Sequence, residues 1–145
     1  MCKNITQPDA ATASRGMYSV SNFESDLMNS YAWDTAIVFL QKFDNRANKA
    51  SLKPYSGQTS LNSNLASQGT NNLSDTSKQD IICNVWDMAS NCYEWTTETY
   101  SSPDYPCIFR GGKYNDSSNS TSSRNNLYIT GCKLEDISFR TLLYL

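Results

Sequence analysis

The stretch Asp87-Met88-Ala89-Ser90-Asn91-Cys92-Tyr93-Glu94-Trp95-Thr96 decides how the chain is read. From Asn91 onward it alternates in part and ends in β-branched residues, the pattern of a strand. Upstream, Asp80-Ile81-Ile82-Cys83 is a short buried run, followed by Val85-Trp86. Downstream, Ser101-Ser102-Pro103-Asp104-Tyr105-Pro106 predicts a turn and Ile108-Phe109-Arg110 a short strand. Gly111-Gly112 then permits a bend or close packing. Residues 81–110 are the densest apolar segment of the chain.

Toward the N-terminus, Pro8-Asp9-Ala10-Ala11-Thr12-Ala13 opens a short helix that Gly16 can stop. Ser25 or Asp26 is expected to cap the next element. Leu27, Tyr31, Trp33, Ala36, Ile37, Phe39, Leu40 and Phe43 recur at helical spacing. They predict a main amphipathic helix over Asn29–Phe43 with its apolar face in the core. Residues 44–80 are polar, with Pro54, Gly57 and Gly69 as breakers. They read equally as a low-complexity linker or as a long ordered surface loop. Residues 113–136 are polar again but hold Tyr114, Leu127, Tyr128, Ile129 and Leu134. The last stretch, Ile137–Leu145, reads as a final core strand. No internal repeat of domain-building length is present.

The chain has 145 residues, so a single domain over 1–145 is expected. Charged residues are 18% and hydrophobic residues 39%, while Ser, Thr and Asn together make up roughly a third. Aromatics at 12% are too many for a disordered chain and suggest a loop-rich fold with an amphipathic aromatic surface. Histidine is absent, which removes Ser-His-Asp and Cys-His nucleophile systems, HExxH zinc sites and His/carboxylate iron sites. With a net charge of −2 and no run of Lys or Arg, nucleic acid is not an expected partner. No membrane span is expected, since the longest apolar stretch, near Ala36–Leu40, is far below the ~20 residues a span needs. The N-terminus lacks the apolar centre of a signal peptide. Location is left open between cytoplasmic and virion-associated. Cys2, Cys83, Cys92, Cys107 and Cys132 are odd in number and form no CxxC pair, so free thiols are expected. One bridge involving Cys107 or Cys132 is compatible with an oxidising compartment.

The stretch Asp87–Thr96 resembles a hallmark of the formylglycine-generating-enzyme family, or sulfatase-modifying-factor domain, whose usual form is D-M-[AS]-G-N-V-[WY]-E-W-T. Three further anchors follow in the family's order. Leu27…Trp33-Asp34…Ala36 is similar to its R-L-P-T-E-A-E-W-E-Y-A helix. Phe109-Arg110-Gly111-Gly112-Lys113-Tyr114 is similar to its R-G-G-S-[WY], and Ser138-Phe139-Arg140 to its closing G-F-R. The resemblance implies the family's α+β, C-type-lectin-like fold: two helices, small twisted antiparallel sheets and much irregular backbone. It also implies a domain lacking the family's opening N-terminal strands.

The departures bear on chemistry. Relatives that activate sulfatases bind copper through two cysteines shortly after R-G-G-S-[WY]. The matching stretch here, Asn115-Asp116-Ser117-Ser118-Asn119-Ser120-Thr121, has none. Sulfoxide-forming relatives bind iron through histidines, which this chain lacks. The resemblance therefore points away from catalysis. A divergent oxidoreductase holding copper or another metal through Cys107 or Cys132 is the alternative, and a structural decoration domain is a third reading.

The resemblance further implies a structural calcium on Asn91, Glu94, Thr96 and Glu98, since carboxylate, amide and backbone oxygens suit that ion. The other reading of Asn91 and Glu94 is that they hydrogen-bond the turn. Trp33, Trp86, Tyr93, Trp95 and Phe139 are expected to be a packed aromatic core, and Arg110 and Arg140 to brace loops through carbonyls and carboxylates. No other cofactor is required.

The expected ligand-binding set is Tyr114, Asn115, Asp116, Ser118, Asn119, Arg124, Asn126 and Tyr128. Tyr, Ser and Asn dominate antibody combining loops because they combine rigid contact area with adaptable hydrogen bonds. Some lectin-like relatives are variable proteins of bacterial and phage diversity-generating retroelements, in which adenine-directed mutagenesis enriches a C-terminal segment in such residues. Residues 113–136 are similar in composition and position. The expected partner is a protein or a glycan. Missing opening strands would expose a sheet edge, so a homo-oligomer or larger assembly is expected as well.

Overall fold

The computed structural model describes residues 4–18, 22–43, 81–82, 85–86, 88, 92–113 and 122–145. The polar stretch 44–80 lies outside them. The contacts divide the chain into two units. One comprises Met1–Trp33, Glu94–Arg110 and Arg124–Leu145, and the other Asp34–Tyr93 and Gly111–Ser123.

Helix α1 spans Gln7–Arg15. Thr6 caps it by accepting the Asp9 N–H at 3.1 Å, and Pro8 sits where its missing N–H is harmless. Asp9 in the first turn and Arg15 in the last complement the helix dipole. The helix stops at Gly16, as its sequence predicts. Helix α2 spans Ser30–Phe43. Its cap is Asn29, whose Oδ1 accepts from Ala32 N at 2.9 Å. Ser25 and Asp26, the expected caps, belong instead to strand β1, Glu24–Leu27. Their oxygens are otherwise engaged. Ser25 Oγ donates to Ser14 O at 2.6 Å and accepts from Tyr18 N, while Asp26 Oδ1 accepts from Leu27 N at 2.7 Å.

In the first unit, a four-stranded sheet runs in the order β6-β5-β4-β7. Its members are β4 (Tyr93–Thr99), β5 (Cys107–Arg110), β6 (Arg124–Tyr128) and β7 (Ile137–Phe139). β4 and β5 are antiparallel, with Glu94 opposite Arg110 and Trp95 opposite Phe109, and their register shifts before Thr99 reaches Cys107. β5 and β6 are antiparallel, with Cys107 opposite Tyr128 and Arg110 opposite Arg124. β8 (Thr141–Tyr144) leaves that sheet and pairs with β1, Glu24 opposite Tyr144 and Leu27 opposite Thr141. Trp33, Trp95, Phe109, Leu27, Cys107 and Ile137 are the buried centre of this unit. In the second unit, β2 (Ile81–Ile82) and β3 (Val85–Trp86) form a small antiparallel ribbon, and Ile37, Met88, Cys92 and Tyr93 are buried.

Two expectations change. The last nine residues are not one core strand. The backbone breaks pairing at Arg140, whose carbonyl accepts from Met28 N at 3.0 Å, and splits the stretch into β7 and β8. Ile137 is fully buried, whereas Leu143, Tyr144 and Leu145 are exposed. The polar stretch 113–136 is also not all loop, because it contains β6. Among the described residues, one strand, β1, precedes α2. Among these residues the fold is α+β, with two helices and small sheets in which β1–β8, β2–β3, β4–β5 and β5–β6 pair antiparallel.

Candidate functional site

Two carboxylates on β4 organise the first unit. Glu94 is 2% exposed. Its two oxygens accept from Arg140 Nε at 2.9 Å and Arg140 Nη2 at 2.8 Å, a bidentate fork. Arg140 stands just after β7, so this pair ties β4 to the point where the chain crosses to β8. Such geometry is the condition under which a buried ion pair is tolerated, since fixed donors replace the lost water.

Glu98, four residues on, holds two arginines. Arg110 Nη1 approaches its Oε1 at 3.3 Å, and Arg124 Nε approaches Oε2 at 2.5 Å. Arg110 and Arg124 are partners across the β5–β6 ladder, so one carboxylate grips both strands where the 13 residues 111–123 leave and return. The Arg110 guanidinium also lies over the Trp33 ring, 5.8 Å from its centroid, a cation–π contact with that buried indole. Arg124 Nη2 donates to Ser30 Oγ at 2.7 Å. Gln7 Nε2 donates to Thr96 O at 2.6 Å and Glu98 O at 3.0 Å, tying α1 to the same strand. Gly111 leaves β5 at φ 79°, a left-handed conformation suited to glycine.

An aromatic cluster lies beside the clamp. Trp95 stands edge-on to Phe109 and Tyr128, with centroids 6.1 and 6.2 Å away, and Phe109 and Tyr128 are 5.4 Å apart. These are favourable aromatic separations. The Trp95 Nε1–H donates to Ile5 O at 2.9 Å, so the buried indole is satisfied. In the second unit, Lys113 Nζ lies 5.4 Å from the Tyr93 ring centroid, and Gly111 N donates to Ser123 O at 3.3 Å.

These contacts bear on the calcium set. Glu94 holds Arg140, Glu98 holds Arg110 and Arg124, and the Thr96 carbonyl holds Gln7. Asn91 lies outside the described residues. In this arrangement the Glu94 and Glu98 carboxylates are engaged by the guanidinium groups of Arg140, Arg110 and Arg124. Among the described residues, no three His, Cys, Asp or Glu side chains cluster as a metal cage.

Of the expected ligand-binding set, Tyr114, Asn115, Asp116, Ser118 and Asn119 lie outside the described residues. Arg124, Asn126 and Tyr128 stand on edge strand β6. Arg124 grips Glu98 and Tyr128 packs on Trp95, so both build the scaffold. Asn126 is half-buried. Leu127 and Ile129 beside it are 62% and 55% exposed, and the sequence reading placed neither in the site. Their signal is an apolar pair inside a Ser/Asn stretch. Also unforeseen is a groove of about 440 Å³ along the β1–β8 ribbon, where Arg15, Tyr18, Phe23 and Tyr144 meet Glu24 and Asp26. The Tyr144 hydroxyl is pushed up by partial desolvation and by the charge and hydrogen bond of Glu24.

Cys92, Cys107 and Cys132 are free thiols. Burial pushes the Cys107 thiol up, helped by the charge of Cys132, and burial and the charge of Asp136 push Cys132 up. No helix among the described residues is long and apolar enough to cross a membrane.

No curated protein and no solved structure matches the chain. A model of the sulfatase-modifying factor enzyme 1-like domain matches residues 6–144, which takes in α1, both carboxylate clamps and β8. On that match, the chain belongs to the family of sulfatase-modifying factor enzyme 1-like domains.

Proposed function

We propose that the protein is a non-catalytic binding module that presents residues 111–123, with the exposed side of β6, to a protein or glycan ligand. One observation carries the reading. Glu98 holds both Arg110 and Arg124, so the segment between them starts and ends on a fixed base. A loop with fixed ends loses less freedom on binding. The Tyr, Ser and Asn content of 113–126 suits such a role. Diversification by a retroelement, in a phage or bacterial surface protein, is the finer form of this reading. A ligand and an exposed β6 edge with Leu127 and Ile129 both favour assembly into a larger particle.

Sequencing the gene across many isolates of one population tests this. Substitutions should concentrate in codons 113–136, spare Glu94, Glu98, Arg110, Arg124 and Arg140, and fall at adenines of a template copy. Even, sparse change along the gene would remove the reading. Neither calcium nor EDTA should move Tm by more than about 1 °C, since an ion that bound only the folded state would raise it.

The competing reading is an oxidoreductase using thiolate-bound copper at Cys107 or Cys132. Metal-binding thiols must lose their protons, and both of these are pushed the opposite way. Stoichiometric copper in the purified protein, with turnover of a thiol peptide, would establish that chemistry and overturn the binding-module reading.

A further inference from the structure

Glu24 opens β1 directly opposite Tyr144 of β8, and Asp26 lies two residues on, opposite Leu142. Directly opposed residues, and residues two apart on one strand, project to the same face. These four therefore share the face of the ribbon that turns away from buried Ser25 and Leu27. At one end of that face Tyr18, Phe23 and Arg15 complete a groove of about 440 Å³. Its frame is fixed. Phe23 immediately precedes β1, and Tyr18 N donates to Ser25 Oγ at 3.1 Å. Past Asp26 and Tyr144 the face continues into a second groove of about 460 Å³ beside Leu142, Asn29 and Thr97.

Two features single out the first groove. Tyr18, Phe23 and Tyr144 are all exposed, and among the described residues none of these rings packs on another ring or faces a cation. One exposed aromatic residue is ordinary, but three around one hollow make an open apolar wall. The charges are also unequal. Asp26 is held by Arg15 at 3.2 Å, whereas Glu24 has no cationic partner among the described residues. Arg15 cancels Asp26, and Glu24 is left as a net negative charge beside three ring faces that are themselves negative in potential. We propose that this groove binds an organic cation, its alkylammonium or guanidinium head seated between the rings and the Glu24 carboxylate.

Other ligand classes fit less well. An anion meets two carboxylates. A neutral apolar group covers the rings but leaves Glu24 without a partner. A metal ion is strongly hydrated and finds a single unpaired carboxylate, too few oxygens to replace its water. A weakly hydrated organic head loses little on entering and gains both the rings and the charge. The second groove gives room for whatever the head is attached to. The groove is built from α1, β1 and β8, so the proposal does not depend on segment 111–123 or on its reading as a binding loop.

Full-length protein is titrated with choline at constant ionic strength while the amide resonances of Tyr18, Phe23 and Tyr144 are followed by NMR. Saturation with a Kd of about 1 mM is expected, the range for a few cation–π contacts and one exposed carboxylate. The neutral isostere of choline, with a tert-butyl group in place of the trimethylammonium, should bind about tenfold more weakly or worse. Arginine amide is the guanidinium arm. Binding of either cation at these three residues supports the site, and the tighter of the two identifies the head group. Glu24→Gln should weaken binding about tenfold with Tm unchanged, because Glu24 is exposed. Arg15→Ala, which removes the neighbouring positive charge, should tighten it several-fold. Phe23→Leu, which keeps an apolar side chain but loses the ring, should weaken it several-fold. Equal binding of the neutral isostere, an unchanged affinity in Glu24→Gln, shifts that map away from the β1–β8 ribbon, or no saturation by either cation below about 20 mM would each overturn the proposal.

Discussion

The two sheets of the first unit are built on opposite principles. Every residue of β5 is buried, and the four-stranded sheet around it is held by Glu94–Arg140, by Glu98 with Arg110 and Arg124, and by the Trp95 cluster. The β1–β8 ribbon buries Ser25 and Leu27 on one side and leaves Glu24 and Tyr144 exposed on the other, while Leu143, opposite Ser25, is also exposed. Its ion pair, Arg15–Asp26 at 3.2 Å, is open to solvent, with the two side chains 61% and 32% exposed. The same pairing chemistry therefore has different consequences in the two places. In the sheet, removing one partner strands a charge in a dry interior. On the ribbon, water takes the partner's place.

Arg140→Ala is the harshest test of this contrast. It takes the cation from both oxygens of a carboxylate that is 2% exposed. Breaking a buried pair from one side typically destabilises by about 3–5 kcal/mol. Chemical denaturation should therefore show a fall of that order, and a loss under about 1 kcal/mol would mean that Glu94 reaches water. Arg140→Lys should recover only part, because an ammonium cannot reproduce the fork.

Glu98→Gln comes next. Side-chain exposure of 12% at Glu98 and 47% at Arg124 tempers the effect, so about 1–2 kcal/mol is expected. The more telling readout is local. Amide exchange at Arg110 and Arg124 should quicken before that of Trp95, because the hairpin base loosens while the aromatic cluster stays packed.

Much of this scaffold was legible in the chain. The Thr96 end of the hallmark stretch, Trp95 and the helix over Ser30–Phe43 follow from pattern and propensity, which act locally. Arg110 and Arg140 were expected to brace through carboxylates, and they do. What sequence could not supply was pairing. At Glu98 nothing local shows two arginines arriving from β5 and β6. The contacts of Arg124 with Glu98 and of Tyr128 with Trp95 were out of reach because a Ser/Asn-rich neighbourhood hides strand β6. Ser25 and Asp26 read as caps because their competition for Ser14 O and Leu27 N is set by tertiary contact and local backbone. Apart from the Asp26–Leu27 bond, these contacts join residues distant in sequence, which propensity does not register.

Alkaline stability sharpens the comparison in another way. In the reduced fold Cys107 and Cys132 hold their protons more tightly than an unfolded thiol of ordinary pKa, about 8.5. Folding therefore binds protons in the alkaline range. The resulting stability is full below about pH 8.5 and is lost as pH rises through the raised values. Tm of the reduced protein should fall between about pH 8 and 9.5, and more steeply than in Cys132→Ser. Parallel slopes would place the thiols in water.

The smallest effect is expected on the ribbon. Arg15→Ala removes the partner of Asp26, but Asp26 Oδ1 keeps the Leu27 N–H at 2.7 Å and remains open to solvent. Exposed pairs contribute little because water and salt screen them and two long side chains must be ordered to form them. The loss should be within about 0.5 kcal/mol and should shrink further in 0.5 M salt. Arg15 also lines the groove with Tyr18, Phe23 and Tyr144, so its removal changes the face of that groove without weakening the fold. A loss comparable to that of Arg140→Ala would show that the ribbon, too, depends on a desolvated charge, and the contrast between the two sheets would fail there.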